Sequence, residues 1–84
     1  MKLKIKKLKP DARMPEYALP GDAGLDLFAS ENFTLKKGEK GAIPTGIAME
    51  IPDGFVGLIW DKSGLAMKHG LKTLGGVVDS GYRG

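Results

Sequence analysis

The residues best suited to chemistry are Asp79 and Tyr82, three positions apart in the glycine-rich run at residues 76–84. The carboxylate of Asp79 could act as a general base toward water or accept a hydrogen bond from a sugar hydroxyl. The ring of Tyr82 could pack flat against a sugar, and the flanking glycines free the backbone to shape a small-molecule pocket. The structural alternative is an aspartate in a turn followed by a tyrosine in the core.

A second segment, Lys62-Ser63-Gly64, combines a cation, a hydroxyl and an unhindered backbone amide at the predicted start of a short helix. Free N–H groups and a partial positive charge at a helix N-terminus favour anions, so this segment is a candidate anion site. The alternative is an ordinary N-cap, because serine is preferred there. The complete glycine-rich phosphate loop is absent, which argues against a nucleoside triphosphatase of that type.

A third candidate is Asp26, which lies between Leu25 and Leu27 and faces away from both if the stretch is a strand. Such an aspartate either faces solvent or holds a hydrated cation. Magnesium keeps several waters and takes only one or two carboxylates, so Asp26 suffices as an outer-sphere partner. The single histidine, His69, excludes a histidine-based metal cluster and is assigned no role.

Composition limits the classes of protein that this chain of 84 residues can represent. It has no cysteine, which excludes disulfides and thiolate metal sites. It has no apolar run near the ~20 residues of a membrane span, and its lysine-rich start does not resemble a secretory signal. We therefore expect a cytoplasmic protein without a membrane partner. Because a chain of this size buries only about 60–65% of its unfolded surface, self-association is the remaining source of support.

The formal net charge of +3 does not indicate nucleic-acid binding. Five of the thirteen basic residues lie within the first nine positions, but no aromatic residue is interleaved with them and no binding motif accompanies them. A lysine-fringed strand at the edge of a sheet fits this pattern better.

The sequence predicts one all-β domain over residues 1–84, because glycine or proline interrupts it roughly every 8–12 residues. Residues 47–60 are expected to form a β-hairpin around Pro52-Asp53-Gly54. Its second strand is apolar on both faces, which predicts a central position with Trp60 at the apolar end. One helix is predicted over residues 63–69, capped by Ser63 and ended by Gly70. The predicted strands lie at residues 3–5, 25–28, 33–35, 47–51, 55–60 and 77–78.

Taken together, the segments resemble the homotrimeric dUTP diphosphatases. Three of that family's five motifs are matched in order by Ala23-Gly24-Leu25-Asp26-Leu27, by Lys62-Ser63-Gly64-Leu65-Ala66 and by residues 76–84. Pro44-Thr45-Gly46 is similar to a turn usual between the first two motifs. Each motif alone is weak, but the ordered set covers nearly the whole chain. The resemblance implies a β-clip, jelly-roll-like fold and hydrolysis of dUTP to dUMP and pyrophosphate.

The resemblance also implies roles for the third motif. Asp79 would orient and deprotonate the attacking water and contact the sugar 3′-hydroxyl. Tyr82 would lie under the deoxyribose and exclude a 2′-hydroxyl. Main-chain groups of Gly76, Val77 and Val78 would read the uracil edge.

The other two motifs are expected to handle the phosphates. Ser63 and Gly64 would bind phosphate oxygens with help from Lys62, and Asp26 would hold Mg²⁺ through water. The implied partners are a deoxyuridine nucleotide and further copies of the chain, forming a trimer or, for a partial chain, another assembly. Nucleic acid is not among the implied partners.

Three positions depart from the family's usual pattern. Lys62 stands where arginine is usual, which keeps the charge but loses the planar fork. Asp61 stands where proline is common and adds a negative charge beside the phosphate site. Gly81 replaces a frequent aspartate. A glycine there also occurs in the related dCTP deaminases, which are one alternative, and a non-catalytic nucleotide-binding or self-associating β-clip module is another.

The family's fourth motif and its glycine-rich C-terminal arm are not found among the 84 residues. We therefore expect an incomplete dUTPase-like domain with weak or no activity of its own. Uncovered strand edges are expected to promote self-association.

Overall fold

The computed structural model describes residues 1–84 and contains four short strands and one helix. In chain order they are β1 (Lys4–Lys7), β2 (Ile47–Glu50), β3 (Gly57–Leu58), α1 (Ser63–His69) and β4 (Val77–Val78). The strands form two two-stranded sheets, β1 with β2 and β3 with β4. The chain divides into two compact units: the first unit is Ile5–Met49, and the second unit is Met1–Lys4 with Glu50–Gly84.

The first unit packs around Ala12, which is buried. Gly46 has φ +71°, and a β-carbon there would lie 2.9 Å from the Ala12 β-carbon and 3.0 Å from that of Ser30. The carbonyl of Gly46 accepts a hydrogen bond from Leu8 N–H at 2.7 Å, and Ser30 N–H donates to the Pro44 carbonyl at 2.9 Å. The turn at residues 44–46 is therefore closely packed, and its last position requires glycine.

The predicted strands at residues 25–28 and 33–35 are not formed. Asp26 makes only an isolated antiparallel bridge with Glu16. The segment that contains Glu16 carries three prolines, at positions 10, 15 and 20. Prolines lack the N–H that a ladder needs, so pairing stops at a single bridge. The ring of Phe28 instead lies under the guanidinium of Arg13, 3.6 Å from its centroid.

The second unit contains the antiparallel pair β3–β4, in register Gly57 with Val78 and Leu58 with Val77. Ile51, the other buried apolar residue, packs in the same unit. A β-carbon on Gly57 would lie 3.0 Å from the Ile51 side chain and 3.2 Å from that of Val78. The small residue at position 57 therefore allows Ile51 and β4 to approach the same point of β3.

The hairpin predicted over residues 47–60 was wrong, although its turn is present. Phe55 N–H donates to the Pro52 carbonyl at 3.1 Å, and Gly54 has φ +81°. The flanking strands do not pair with each other, because β2 pairs with β1 and β3 pairs with β4. The turn signal is local, whereas the choice of strand partner depends on distant parts of the chain.

The strand predicted over residues 55–60 is neither long nor central. Only Gly57 and Leu58 are in a strand. Trp60 is 78% exposed, and Phe55, Val56 and Leu58 are exposed by about half. Because residues 55–60 are apolar on both faces, the sequence predicted that both faces would be buried. In the structure, β3 has only β4 as its neighbour in the sheet, so the predicted burial is not reached.

The predicted helix bounds are confirmed. Gly70 ends α1 in the left-handed conformation, and its N–H donates to the Ala66 carbonyl at 3.0 Å. Lys68 lies in the last turn, where its positive charge suits the helix dipole. The predicted cap was wrong, because the N-cap is Lys62, with no side-chain capping hydrogen bond.

No helix in the structure combines the length and the apolar character that crossing a membrane requires.

Candidate functional site

The segment at residues 76–79 is held against the end of β3. Ile59 N–H donates to the Gly76 carbonyl at 2.8 Å, which continues the β3–β4 register by one pair. Gly75 and Gly76 both have positive φ, +72° and +156°. A β-carbon on Gly76 would lie 2.6 Å from the Ile59 carbonyl oxygen, so only glycine permits this approach. The pairing delivers Asp79 directly after β4.

The register also determines which main-chain groups of β4 face outward. In an antiparallel pair, opposed residues alternate between hydrogen-bonded and non-hydrogen-bonded pairs. Since Ile59 and Gly76 are hydrogen-bonded, the next pair, Leu58 and Val77, is a non-hydrogen-bonded one. The N–H and C=O of Val77 therefore point away from β3, where an adjacent ligand edge could meet them.

Asp79 and Tyr82 are joined by a turn. Tyr82 N–H donates to the Asp79 carbonyl at 3.1 Å. Both side chains are exposed, Tyr82 to 60%. The structural alternative of a core tyrosine is therefore wrong, because the ring presents most of its surface to solvent. The turn places the carboxylate and the ring on one short exposed loop.

Arg83 holds this turn, and sequence reasoning missed it. Its Nη1 donates to the carbonyls of Ser80 and Tyr82, each at 2.8 Å. Its Nη2 lies 3.9 Å from Glu50 Oε1. The signal that could have found it is a guanidinium, with five donors, directly after a turn whose carbonyls need partners.

The segment Lys62-Ser63-Gly64 forms the N-cap and first turn of α1 and is exposed. Nothing lies within 4 Å of the β-carbon position of Gly64. These three residues thus lie at the surface of the same unit as the Asp79–Tyr82 turn.

Asp61, the residue before this segment, is engaged with the chain that follows α1. Its Oδ1 accepts hydrogen bonds from Thr73 N–H at 2.6 Å and from the Thr73 hydroxyl at 2.8 Å. Lys72 Nζ lies 3.4 Å from Oδ2. The Thr73 N–H, and then the Thr73 hydroxyl, lower the pKa of Asp61 below its ordinary value, outweighing the opposing effect of burial. The carboxylate is therefore held in its charged form.

An open recess of about 300 Å³ adjoins this contact. It is lined by Trp60, Asp61, Lys72 and Thr73, none of which belongs to the predicted site residues. The sequence predicted Trp60 at the apolar end of a central strand. The structure instead places it at this recess.

Asp26 lies in the first unit, whereas the other predicted site residues lie in the second. Its backbone exchanges hydrogen bonds with Glu16, with Asp26 N–H donating at 2.8 Å and Glu16 N–H donating at 3.3 Å. Its residue surface is half-buried, whereas Leu25 and Leu27 are each 37% exposed. Asp26 is therefore somewhat less exposed than its two neighbours. The structure contains no group of three or more His, Cys, Asp or Glu side chains that could hold a metal ion.

Comparison with known proteins gives consistent matches. The family model described as dUTPase matches residues 10–84. A deoxyuridine 5′-triphosphate nucleotidohydrolase of Thermobifida fusca is 46% identical over all of this chain, which covers 48% of that protein. The chain spans about half the length of the curated relatives that it matches.

Solved structures agree. A dUTPase mutant from phage phi11 of Staphylococcus aureus, in which the coordination of a structural Mg(II) ion is described, has TM-score 0.90 and 40% identity. The match covers all of this chain and 55% of that one. The Staphylococcus bacteriophage 80alpha dUTPase with dUPNHPP has TM-score 0.90 and 42% identity, over 99% of this chain and 49% of that one.

These matches define the class as β-clip proteins of the jelly-roll type. The chain belongs to the dUTPase family. The predicted fold class and family are thereby confirmed.

Proposed function

We propose that the chain supplies part of an active site that hydrolyses dUTP to dUMP and pyrophosphate. The observation that carries the proposal is the sharing of one compact unit by the exposed segment 62–64 and the Asp79–Tyr82 turn. Membership in the dUTPase family supports the same reaction. The 80alpha dUTPase with dUPNHPP supports a deoxyuridine nucleotide as the ligand.

We assign recognition of the uracil edge to the main-chain groups of Gly76, Val77 and Val78. The outward N–H and C=O of Val77 offer one donor and one acceptor to a base edge. Cytosine exchanges donor and acceptor at that edge, so its binding would leave polar groups unpaired. The close contact of Gly76 with Ile59 keeps the reading groups in place.

The sugar and the water are assigned to the turn. Tyr82, 60% exposed, offers its ring as a surface for the deoxyribose, where a 2′-hydroxyl would meet the ring. The carboxylate of Asp79 orients a water molecule toward the α-phosphorus and accepts its proton. General-base catalysis of this kind contributes about 10²–10⁴-fold.

Lys62, Ser63 and Gly64 bind the phosphates. An ammonium group, a hydroxyl and helix N–H groups neutralise and orient the phosphate oxygens, which is the main requirement of phosphoryl chemistry. Lysine at position 62 acts as a point charge and does not grip two oxygens as arginine does.

Mg²⁺ is the proposed cofactor, and the donor set of the chain fits an outer-sphere site. The structure offers no cluster of three ligating side chains, but magnesium needs only one or two carboxylates when phosphates and waters complete its shell. Asp26 is the proposed carboxylate, acting through water. When bound, the ion would neutralise charge on the phosphates.

We also propose that the protein acts as a homo-oligomer, a trimer by family, in the cytoplasm. The domain is proposed to be a single dUTPase-like domain of which residues 1–84 hold the first three motifs. A nucleotide, and neither nucleic acid nor a membrane, is its proposed partner.

The test is pyrophosphate release from dUTP with Mg²⁺, with UTP and dCTP as competing substrates. We expect any release to favour dUTP over both, and to be weak or absent from residues 1–84 alone. Ammonia release from dCTP would identify a deaminase instead. Binding of dUTP without release, by a chain that also carries the fourth motif and the C-terminal arm, would identify a non-catalytic nucleotide-binding module.

The Asp79→Asn variant tests the assigned base. In a chain that also carries the fourth motif and the C-terminal arm, we expect dUTP binding to be largely retained and turnover to fall by about 10²-fold or more. Asp53→Asn is the matched control, because Asp53 is an exposed turn aspartate in the same unit. Near-normal turnover by Asp79→Asn would remove that residue from the mechanism.

A further inference from the structure

Helix α1 is not held in place by burial. It has seven residues, and none of them is buried. Isolated helices this short are marginal in water, and helices in proteins usually gain stability from packing an apolar face. The position of its N-terminal segment, residues 62–64, is therefore determined mainly by contacts of the residues directly before and after the helix.

One contact joins the residues on the two sides of α1. Asp61, directly before the helix, accepts two hydrogen bonds from Thr73, beyond its C-terminal glycine, at 2.6 and 2.8 Å. Thr73 is half-buried, and its hydroxyl also lies 3.4 Å from the Ile59 carbonyl. The contact closes residues 61–73 into a loop that carries the helix.

The same end of β3 also contacts residues 76–78, the segment proposed to recognise uracil. Ile59 pairs with Gly76 at 2.8 Å, two residues before Asp61 meets Thr73. Residues 59–61 thus fix both the segment assigned to the phosphates and the segment assigned to uracil. The Asp61–Thr73 contact governs the first of these, and the Ile59–Gly76 contact governs the second.

We propose that Asp61 and Thr73 are positioning residues that set the Lys62-Ser63-Gly64 segment for the phosphates of the nucleotide. This inference rests on the proposed function. It differs from the expectation that the unusual aspartate only adds repulsive charge. Both oxygens of Asp61 face donors on Lys72 and Thr73, so its charge is compensated within the chain.

The two interpretations predict opposite results for Asp61→Ala. If Asp61 positions the segment, the variant weakens dUTP binding by on the order of tenfold, because hydrogen bonds to a charged group are lost. Binding of deoxyuridine, which has no phosphate, stays unchanged. If Asp61 only repels phosphate, the variant binds dUTP more tightly.

The experiment measures dissociation constants for dUTP and deoxyuridine, with thermal midpoints to check folding. Thr73→Val removes the hydroxyl but keeps the charge of Asp61, and we expect about threefold weaker dUTP binding. Thr73→Ser, unlike Thr73→Val, keeps a hydroxyl at this position and should bind dUTP with the wild-type affinity. Asp53→Ala is the charge-matched control and should change neither constant.

Three outcomes would overturn the inference: tighter dUTP binding by Asp61→Ala, unchanged dUTP binding, or an equal loss for dUTP and deoxyuridine. The last would show a role in general stability only. If the wild-type protein binds no dUTP, the proposed function fails and the inference fails with it. Normal wild-type binding with an insensitive Asp61→Ala variant overturns the inference alone.

Discussion

The carbonyl oxygen of Ile59 lies 2.6 Å from the point where Gly76 would carry a β-carbon. The same two residues share a hydrogen bond from Ile59 N–H to Gly76 O at 2.8 Å. No side chain fits between backbones this close. The proposed base-reading strand therefore depends on glycine at position 76.

Gly76→Ala should destabilise the protein by about 2–4 kcal/mol, because it adds a steric contact with backbone to an unfavourable φ. Chemical denaturation measures the change. Gly81→Ala is the control, since its β-carbon would meet nothing within 4 Å and its φ is not positive. That control should stay within about 0.5 kcal/mol of wild type. Equal effects of the two variants would contradict the steric explanation.

Gly46→Ala should destabilise the first unit by about 1–3 kcal/mol, since φ is +71° and the new methyl group would lie 2.9 Å from the Ala12 β-carbon. Adding Ala12→Gly removes that contact and should recover part of the loss in denaturation experiments. Gly24→Ala, in open space in the same unit, provides the control. A double-mutant cycle that includes the Ala12→Gly single variant and gives no favourable coupling energy would show that the backbone angle, and not this contact, determines the cost.

The hydrogen bonds to Asp61 should make stability depend on acid pH. They lower its pKa below the ordinary value of 3.8, so folding favours the charged form. The stabilisation is fully present above 3.8 and is lost as the pH falls through the lowered pKa of the folded state. The stability difference between wild type and Asp61→Asn, followed from neutral pH downward, should therefore shrink in acid below that value. A difference that grows on acidification would contradict this prediction.

Arg83→Ala should reduce the preference for dUTP over UTP by about 3–10-fold, because Tyr82 loses a charged donor that holds its turn. Ratios of kcat/KM for the two nucleotides measure it. Glu50→Gln should change little, since an exposed ion pair at 3.9 Å contributes about 0–1 kcal/mol. Arg83→Lys should recover only part, because an ammonium group lacks the planar array of donors. An unchanged ratio in Arg83→Ala would mean that the turn holds without it.

The parts of the fold that the sequence predicts well are those decided locally. The bounds of α1 follow from good helix formers that end at Gly70, and the turn at residues 52–55 follows from proline and glycine. Strand partners were predicted poorly, because each strand pairs with a distant one. The pattern at residues 55–60 records apolar character, but burial depends on neighbours that the pattern does not contain.

The candidate site divides in the same way. Asp79 and Tyr82 could be nominated from the sequence because motif order and spacing are visible there, and their roles stay predictions. The contact of Asp61 with Thr73 was not found, since the two residues are twelve positions apart with a helix between them. The role of Arg83 in holding the turn also became visible only when its donors could be placed against particular carbonyls.

The chain contains a single tryptophan, and Trp60 is 78% exposed beside Asp61. An indole in water emits at longer wavelengths than one that is covered. The protein therefore carries a built-in optical reporter one residue away from the contact proposed to hold the phosphate-binding segment. The wavelength and intensity of Trp60 emission report changes at the recess without an attached dye, and no second indole contributes to the signal.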